Sequence, residues 1–372
     1  MGLHLIPHDL NINFVGIRKA AYAVSLAFLL VGLGYLIFQG GPRYGIDFAG
    51  GTIAQVKFSK PVTEDALKTT LSALEKQGLV VQRFGDSEGH SFLIRVSNAE
   101  ISSSIMRDTL LTAFSTDLAD NPADLQRLES VGPKVGADLR SQALEAMYFA
   151  TLLIAIYISG RFEQRWFIAA AMAGVLAGSM YILELLGMGK ALLVFAATFV
   201  TVLLCWRLKL VFAMGALVSM LHDVCITVGL FALMGKEFDL TIIAALLTVI
   251  GYSLNDTIIV YDRIRENLIA HRGDKLSDII NASINQTLSR TVLTSGTTLF
   301  VVGSLLIFGG GIIHDFALVM FIGIIVGTLS SIFVASPILL IFGDTVIAQS
   351  EKAQLQREHA AKHERNRAKA VT

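Results

Sequence analysis

The chain has 372 residues, of which 53% are hydrophobic and only 16% are charged, and its mean hydropathy is +0.62. Soluble domains carry about 25% charged residues, so this composition excludes an ordinary water-soluble enzyme. Lys and Arg together number 30, as do Asp and Glu, which leaves no net basic field for nucleic acid. Cys205 and Cys225 both lie in apolar runs, so they predict neither a disulfide framework nor a zinc site.

The first apolar run, residues 20–38, is long enough to cross a bilayer core, which takes about 18 residues. No small-residue cleavage site follows it, so we predict a retained membrane anchor and not a removed signal peptide.

Residues 39–142 have the composition of a globular domain. In chain order, the apolar periodicity predicts a strand over 44–58 broken at Gly50 and Gly51, a helix over 63–77 capped by Thr63, strands over 79–84 and 91–96 around a turn at 85–89, a helix over 99–118 and a strand over 125–131. This β-α-β-β-α-β order is that of a ferredoxin-like unit. The Gly-rich stretch 45–51 is predicted to be a strained turn beside the membrane, because no helix follows it as a phosphate-binding loop requires.

Seven further apolar runs follow residue 142. They are 143–160, 166–183, 191–206, 210–234, 241–261, 291–308 and 316–342. The shortest, 191–206, is also compatible with a re-entrant segment. We therefore predict an α-helical polytopic membrane protein of about eight transmembrane helices, with one α+β ferredoxin-like extracytoplasmic domain between the first and second helices.

The distribution of Lys and Arg predicts the orientation of these spans, because cytoplasmic loops carry an excess of positive charge. With both termini in the cytoplasm, 17 Lys and Arg lie inside, in groups at 18–19, 161–165, 207–209, 263–290 and 352–369. The short outer loops carry only Lys190 and Lys236. This asymmetry favours eight spans with residues 39–142 outside.

Polar residues form a stripe on each of three later spans, and an ionisable group inside a span is by default a functional hypothesis. The first stripe is Ser219, His222, Asp223 and Thr227; the second is Ser253, Asp256 and Thr257, beside Asn255; the third begins at Arg290 and continues through Thr294, Thr297 and Thr298. His222 and Asp223 are neighbours about 100° apart on a helix, so they need not bond each other.

Asp256 is predicted to lie about 9 Å below the inner membrane surface. Arg290, at the inner mouth of its span, is its candidate partner, and a carboxylate that alternates between an Arg partner and a protonated state can carry protons. The alternative for Asp256 is a structural hydrogen bond between helices. For His222, a packing histidine is as good an interpretation as a proton relay. The spacing of His222, Asp223 and Asp256 is not that of a metal-ligand set, so no metal or other cofactor is expected.

Other features of the sequence predict packing more than chemistry. Gly174 with Gly178 and Gly323 with Gly327 have the spacing of close helix contacts. Pro337 is predicted to kink the last span or to mark its end. The charged tail 349–372 is predicted to be a solvated helix, with docking on anionic lipid or on a cytoplasmic partner as the alternative.

Residues 251–267, Gly-Tyr-Ser-Leu-Asn-Asp-Thr-Ile-Ile-Val-Tyr-Asp-Arg-Ile-Arg-Glu-Asn, resemble the SecF family of the bacterial SecDF protein-export complex. Four further stretches resemble the family in the same order: 9–23, 45–52, 131–136 and 285–291. The resemblance covers most of the chain and implies a fold of the resistance-nodulation-division type. It also implies that Asp256, of the Asn255-Asp256 motif, and Arg290, after Leu288-Ser289, take part in proton passage.

The same resemblance implies partners, a location and a function. The implied partners are SecD, the SecYEG channel, an auxiliary subunit of the YajC type, the translocating preprotein and the lipid bilayer. The implied location is the cytoplasmic (inner) membrane of a bacterium. The implied function is to use the proton motive force, with SecD, to assist late export of proteins, with the outer domain guiding the emerging chain.

One stretch departs from the family pattern of six spans. Residues 161–165 normally lead straight into the span with the His-Asp pair, but here about 45 extra residues with two apolar runs follow. A two-span insertion keeps the downstream orientation. The predicted units are 1–38, the cytoplasmic N-terminus and first helix; 39–142, the extracytoplasmic domain; 143–160, the second helix; 161–209, an inserted two-helix hairpin; 210–343, a four-helix core; and 344–372, a cytoplasmic charged tail.

Two other classes of protein remain as alternatives. A proton-driven exporter of small molecules or lipids would share the superfamily fold but need a second, repeated half. A purely structural scaffold would leave Asp256 and Arg290 without a purpose. The sequence contains no recognisable nucleophile–base pair and no set of metal ligands, so an enzyme is not expected.

Overall fold

A computed structural model of the chain describes residues 11–83, 90–97, 101, 103–271 and 273–348, with the side chains of 190, 191, 311 and 312 left aside. The predicted turn at 85–89 and the predicted tail 349–372 lie outside these residues. So do Phe84, Arg272, residues 9–10 of the matched stretch 9–23 and most of the predicted helix start at 99–102.

The N-terminal part consists of one long helix and a small α+β domain. Helix α1 is Phe14–Gln39 and is followed by the helical turn α2, Ile46–Ala49. The domain then comprises β1 Gly51–Phe58, α3 Glu64–Thr70 with a 3-10 turn Ser72–Gln77, β2 Leu79–Arg83, β3 Ser91–Val96, α4 Ser103–Asp117 and β4 Ala123–Val131. The sheet has the order β2-β3-β1-β4 with every neighbour antiparallel, so the ferredoxin-like prediction is confirmed.

Alternating burial along the strands builds the core of this domain. Ala54, Val56 and Phe58 point inward from β1, and Phe92 and Ile94 from β3. Both helices cover the same face of the sheet, since their buried residues join this cluster. As predicted, Thr63 caps its helix, accepting a hydrogen bond from the backbone N–H of Ala66 at 3.3 Å.

The predicted strand over 44–58 is wrong in its first half, because residues 46–49 form the turn α2. Gly50 and Gly51 have φ of +78° and +122°, values that side chains disfavour. A Cβ on Gly51 would also lie 2.5 Å from the carbonyl oxygen of Val96. The two glycines therefore turn the chain from α2 into the sheet, and the strand begins only there.

From Pro133 onward, the part of the chain that the structure describes is helical. It comprises α5 Pro133–Glu163, α6 Trp166–Leu185, α7 Lys190–Arg207, α8 Val211–Leu233, α9 Leu240–Ala270, α10 Leu276–Phe308 and α11 Gly311–Ser330, which continues through a π-helical turn Ser331–Ala335, Ser336–Ile338 and a 3-10 turn Leu339–Phe342. Within the described residues, seven helices are long and apolar enough to cross a membrane. The remaining predicted span, 191–206, forms the shorter apolar helix α7. This is the run for which the sequence also allowed a re-entrant segment.

Pro337 interrupts the last span without ending it. The hydrogen-bond pattern changes to π-helical at Ser331–Ala335, just before the proline, which has no N–H to continue the ladder. Hydroxyl groups satisfy two of the carbonyls there: Ser336 Oγ donates to Ser331 O at 2.7 Å, and Tyr261 Oη donates to Ala335 O at 3.0 Å.

Helix α8 is the centre of the membrane bundle and packs against α1, α5, α9 and α11. Glycines permit the closest approaches. A Cβ on Gly32 or on Gly229 would lie 2.8 Å from the Cα of the other, so α1 and α8 touch backbone to backbone. The predicted pair Gly323 and Gly327 packs on α9, but a Cβ on Gly174 or Gly178 would meet nothing within 4 Å. For those two residues the prediction of close packing is therefore wrong within this chain.

We expect Gly32→Leu to destabilise the folded protein by about 2–3 kcal/mol, because its side chain must push α1 off the backbone of α8. The measurement is the midpoint of unfolding of the full chain in a detergent mixture. Gly34→Leu is the matched control, since a Cβ on Gly34 meets nothing within 4 Å. Equal midpoints for the two variants would show that the contact with Gly229 contributes nothing.

The hairpin formed by α6 and α7 leaves and rejoins the bundle at one point. Glu163, the last residue of α5, accepts a hydrogen bond through Oε1 from the backbone N–H of Phe212 in the first turn of α8, at 2.9 Å. Arg165 donates from Nη1 to Leu208 O at 2.8 Å. The two ends of the hairpin therefore lie side by side, which is the geometry that an inserted hairpin requires.

Candidate functional site

Among the described residues, two carboxylates are buried in the membrane bundle. Asp223 lies in the middle of α8 and Asp256 in the middle of α9, and each is 1% exposed. A buried charge in a membrane span is costly unless it is paired or neutralised. The groups around each carboxylate therefore decide what it can do.

Asp223 is surrounded by hydrogen-bond donors from three helices. Its Oδ2 accepts from Ser253 Oγ on α9 at 2.5 Å and from Ser330 Oγ on α11 at 2.7 Å. Its Oδ1 lies 2.8 Å from Nδ1 of His222. Ser219, one turn earlier on α8, donates to Ser330 Oγ at 3.0 Å. The predicted face of α8 is thus the buried one, whereas His222 does bond to its neighbour, which the sequence did not require.

Asp256 has fewer partners. Its Oδ2 accepts from Ser295 Oγ on α10 at 3.1 Å, and Ser295 accepts in turn from Thr328 Oγ1 on α11 at 2.8 Å. Its Oδ1 is buried without a hydrogen-bond partner among the described residues. An unpaired carboxylate oxygen away from water is costly in the charged state, and the cost disappears when a proton is bound.

The two carboxylate sites are joined through α9 and α11. Ser253 and Asp256 are three residues apart on one face of α9, so a hydroxyl bonded to Asp223 lies one turn from the second carboxylate. A Cβ on Gly327 would lie 2.8 Å from that of Ser253. Only a glycine at this position lets α11 bring Thr328 and Ser330 to the two sites.

Three predicted pathway residues stand apart from this network. Arg290 is exposed, and although its charge acts on Asp256, none of the ion pairs between described residues joins the two. Thr294 donates to Arg290 O at 3.0 Å, a carbonyl of its own helix. Asn255 is exposed, on the face of α9 opposite the bundle. The prediction that Arg290 pairs with Asp256 therefore does not hold in this conformation.

Thr294 was predicted to face the buried carboxylates, but its neighbour Ser295 does so instead. Ser295 is 3% exposed and binds Asp256. Successive residues on a helix point about 100° apart, so the predicted stripe through Thr294 faces a different direction from a stripe through Ser295. Thr287, Thr291 and Ser295 recur every four residues and are all buried; this alternative stripe was readable in the sequence. Thr328 and Ser330 had no such signal in their apolar run.

A short loop between α8 and α9, residues 235–239, holds the α+β domain. Phe238 N donates to Arg43 O at 2.8 Å, and Gly45 N donates to Phe238 O at 2.8 Å. Asp47, in the Gly-rich turn, accepts through Oδ2 from Leu240 N at 3.1 Å. A carboxylate from the turn that leads into the α+β domain therefore caps the N-terminus of α9, where the helix dipole favours it.

Charged side chains strengthen this anchor. Arg95 on β3 forms an ion pair of 2.5 Å with Glu237 and donates to Tyr44 O at 3.0 Å. Lys236 pairs with Asp315 of α11 at 2.7 Å. The loop joins α8 to α9, which carry Asp223 and Asp256, and its side chains also contact the sheet and α11.

Asp239 is the N-cap residue of α9, and its Oδ1 accepts from Ile242 N at 2.9 Å. Burial raises the pKa of the Asp239 carboxyl; the Ile242 N–H opposes this, and the nearby Asp47 adds to it. The end of the bundle next to the α+β domain therefore holds a carboxyl that binds a proton more readily than an exposed aspartate does.

We expect Glu237→Gln to weaken the anchor by about 2 kcal/mol, because Arg95 is largely buried and would lose its charged partner. Hydrogen exchange of the backbone at residues 43–47 and 235–240 should then increase. Glu129→Gln, which breaks an exposed pair with Arg127, should change exchange there very little. Unchanged exchange in Glu237→Gln would rule out the ion pair as an anchor.

Buried carboxylates linked by hydroxyls, in a helical bundle topped by a ferredoxin-like domain, define a polytopic membrane protein of the transport class. The chain matches the family model of the protein export membrane protein SecD/SecF, C-terminal, over residues 112–184 and 177–345, and that of the SecD/SecF GG motif over 35–62. The chain belongs to this SecD/SecF family, and it is a multi-pass protein of the bacterial inner membrane. The two segments of the first match meet within α6.

Relatives narrow the family to SecF. The chain is 38% identical over 337 residues to the protein translocase subunit SecF of Calditerrivibrio nitroreducens, covering 90% of this chain and 95% of the relative. It is 34% identical over 330 residues to that of Pseudomonas aeruginosa, covering 89% and 91%. These relationships support an accessory role in protein translocation.

Two solved structures share the fold. The crystal structure of SecDF, a translocon-associated membrane protein from Thermus thermophilus, matches with a TM-score of 0.64 and 31% identity over 92% of this chain. SecDF in a super-membrane-facing form matches with a TM-score of 0.52 and 31% identity over 95% of this chain. The chain spans 40% of the length of each SecDF chain.

Proposed function

We propose that the chain acts with SecD as an accessory subunit of the Sec translocase and uses the proton motive force to assist late export of proteins. The observation that carries the proposal is Asp256: a carboxylate 1% exposed in the bundle, with one oxygen unpartnered and the other held by a hydroxyl. A structural aspartate would have both oxygens satisfied, as Asp223 does.

The proposed step is reversible protonation of Asp256. A proton on Oδ1 removes the charge, so the Ser295 hydroxyl can turn away from Oδ2 toward another acceptor. Loss of the proton restores the charge and its demand for donors, which Arg290 could meet if α10 moved. Asp223, His222 and Ser253 extend the hydroxyl network toward the centre of α8. One charge crossing 100 mV releases about 2.3 kcal/mol, so a few protons suffice to drive a conformational cycle.

The outer loop 235–239 transmits this cycle to the outer domain in our proposal. It joins α8 to α9, the helices of Asp223 and Asp256, and its Glu237 holds Arg95 of the sheet. A shift of α9 relative to α8 therefore tilts the domain that residues 39–142 form. On the outer side of the membrane, such a movement would guide an emerging preprotein.

The proposed topology places both termini in the cytoplasm and residues 39–142 outside. In this topology, Lys and Arg residues lie at the cytoplasmic ends of the spans. The chain matches 40% of the SecDF chain, and SecD is the proposed partner that corresponds to the rest of it. SecYEG is the proposed channel partner and a YajC-type protein the proposed auxiliary subunit.

Export by inner-membrane vesicles tests this function. Vesicles lacking the chain are compared with vesicles that contain it together with SecD, at saturating ATP, with and without an uncoupler. We expect the chain to increase export only while the proton gradient persists. Equal stimulation with the uncoupler would indicate a scaffold, and no stimulation in either condition would refute a role in export.

A further inference from the structure

Glu163, at the end of α5, places a carboxylate at the start of α8 that the proposed proton step does not use. Its Oε1 accepts the hydrogen bond from Phe212 N at 2.9 Å, whereas its Oε2 is buried without a hydrogen-bond partner among the described residues. The residue as a whole is only partly buried. Glu163 therefore combines one unpartnered inner oxygen, as Asp256 does, with partial exposure at the end of the bundle.

The groups around Glu163 come from three elements. The charge of Arg165, which follows in the connection to α6, acts on Glu163. Glu163 acts in turn on Cys205 of α7 and on Tyr261 of α9, and both of these side chains are 0% exposed. The Tyr261 ring packs edge-on against that of Phe212, with 5.2 Å between the ring centroids. Tyr261 therefore brings a fully buried hydroxyl to the junction of α5 and α8.

The Tyr261 hydroxyl begins a line of hydroxyls on α9. It donates to Ala335 O at 3.0 Å, and a Cβ on Gly215 would collide with it, so only a glycine there leaves room for it. Thr257 and Ser253 follow at intervals of four residues, and all three side chains are buried. The last of the three is the hydroxyl that binds the buried carboxylate of α8.

The facing side of α8 carries matching positions. Phe212, Gly215, Ser219 and Asp223 are three, four and four residues apart, so they share one face over about 16 Å. Ser219 donates to Ser330 Oγ at 3.0 Å, and Ser330 donates to Asp223 Oδ2 at 2.7 Å. Oxygens that can pass a proton therefore recur along α8 and α9 from the buried carboxylate to the end of the bundle.

We propose that Glu163 is a proton acceptor on the cytoplasmic side, which Ser219 and Tyr261 connect to the network around Asp223. The inference rests on the proposed function and on the proposed topology, in which this end of the bundle faces the cytoplasm. As Ser219 receives a proton from the network, it passes its own proton to Tyr261, and Tyr261 passes its own to Oε2 of Glu163. Each hydroxyl is left with one proton, and Glu163 releases the transferred proton to water. The interval of about 6 Å between Gly215 and Ser219 is one that a single bridging water can span.

Proton release from vesicles tests this role. Inverted inner-membrane vesicles, which expose the cytoplasmic side to the medium, contain SecD and equal amounts of each variant. Their lumen is acidified, and a pH-sensitive dye in the medium reports the release that depends on the chain. We expect Glu163→Gln to lower this release by at least about tenfold. Its amide oxygen still accepts from Phe212 N, but it cannot take up a proton at neutral pH.

Glu163→Asp separates proton transfer from helix capping. The aspartate keeps an ionisable carboxyl but is one methylene shorter, so it caps α8 less well than glutamine does. It should nevertheless retain more of the release than Glu163→Gln. Tyr261→Phe, which keeps the ring against Phe212, should lower the release as Glu163→Gln does. The double variant should lose no more than either single variant, because both residues act on one path.

Glu266→Gln is the control, since Glu266 is an exposed carboxylate near the same end of α9 and pairs with Arg263 at 2.9 Å. It should release protons as the parent protein does. If Asp256→Asn stopped the release and Glu163→Gln left it unchanged, the proposed function would stand and Glu163 would be only a cap. A greater loss in Glu163→Asp than in Glu163→Gln would overturn the inference as well. No chain-dependent release in the parent protein would refute the proposed proton step and this inference with it.

Discussion

Asp256→Asn should abolish the gradient-dependent part of export while the protein stays folded and assembled. Asparagine has nearly the same shape and still accepts a hydrogen bond from Ser295, so the packing of α9 on α10 is kept. It cannot gain or lose a proton at neutral pH. Each proton no longer carried forgoes about 2.3 kcal/mol at 100 mV, about a 50-fold factor in an equilibrium constant.

The measurement is export by vesicles that contain SecD and equal amounts of each variant, with and without a proton gradient. Asn255→Ala is the matched control, because Asn255 is the next residue but faces away from the bundle; it should behave as the parent protein does. Ser295→Ala should give an intermediate loss, since it removes the one hydroxyl that binds Asp256. Full stimulation in Asp256→Asn would make this aspartate structural and move the search to Asp223, His222 or the partner subunit.

Asp223→Ala should have the largest effect on stability of any single change in the bundle core. It removes the acceptor of Ser253, Ser330 and His222 at once and leaves a void where three helices meet. Hydrogen bonds between membrane helices contribute about 0.6 kcal/mol on average and up to about 1.7 kcal/mol. With the void, we expect a loss of about 3–5 kcal/mol.

The unfolding midpoint in a detergent mixture measures this loss. Asp223→Asn keeps an acceptor oxygen and the volume, so it should lose less than half as much. Thr297→Ala is the control for a hydroxyl that bonds only to its own helix and lies exposed. If Asp223→Ala unfolded at the parent's midpoint, the three donors would have to find other acceptors, and the proposed junction of α8, α9 and α11 would be wrong.

The broad architecture was predictable because it rests on periodicity and length. Apolar runs of membrane length predict the spans irrespective of how they pack. In the outer domain, alternation along 91–96 and the cap at Thr63 predict strand and helix locally. The apolar run 191–206 forms a helix shorter than the seven candidate spans. Its short length is also the reason why the sequence allowed a re-entrant segment there. The prediction failed at 44–50, where two glycines of positive φ permit a helical turn before the strand begins.

The site was predictable only in part. Asp256 and Asp223 stand out because a carboxylate within an apolar span is energetically costly and therefore indicates a functional role. The choice between Thr294 and Ser295 depends on a rotation of α10 by about 100°, and the contacts of α9 and α11 set that rotation. Thr328 and Ser330 reach the carboxylates because glycines on α11 let that helix approach α9.

The sequence by itself therefore determined the membrane class, the order of strands and helices in the α+β domain and the two aspartates, since each depends on local composition and spacing. Tertiary structure alone decided which hydroxyls bind the two aspartates, that Arg290 stays apart, and that the loop between α8 and α9 holds the sheet. Those outcomes depend on the rotation and separation of helices that are far apart in the chain. A helix face can be read from one segment, but its partner is chosen by the packing of all the others.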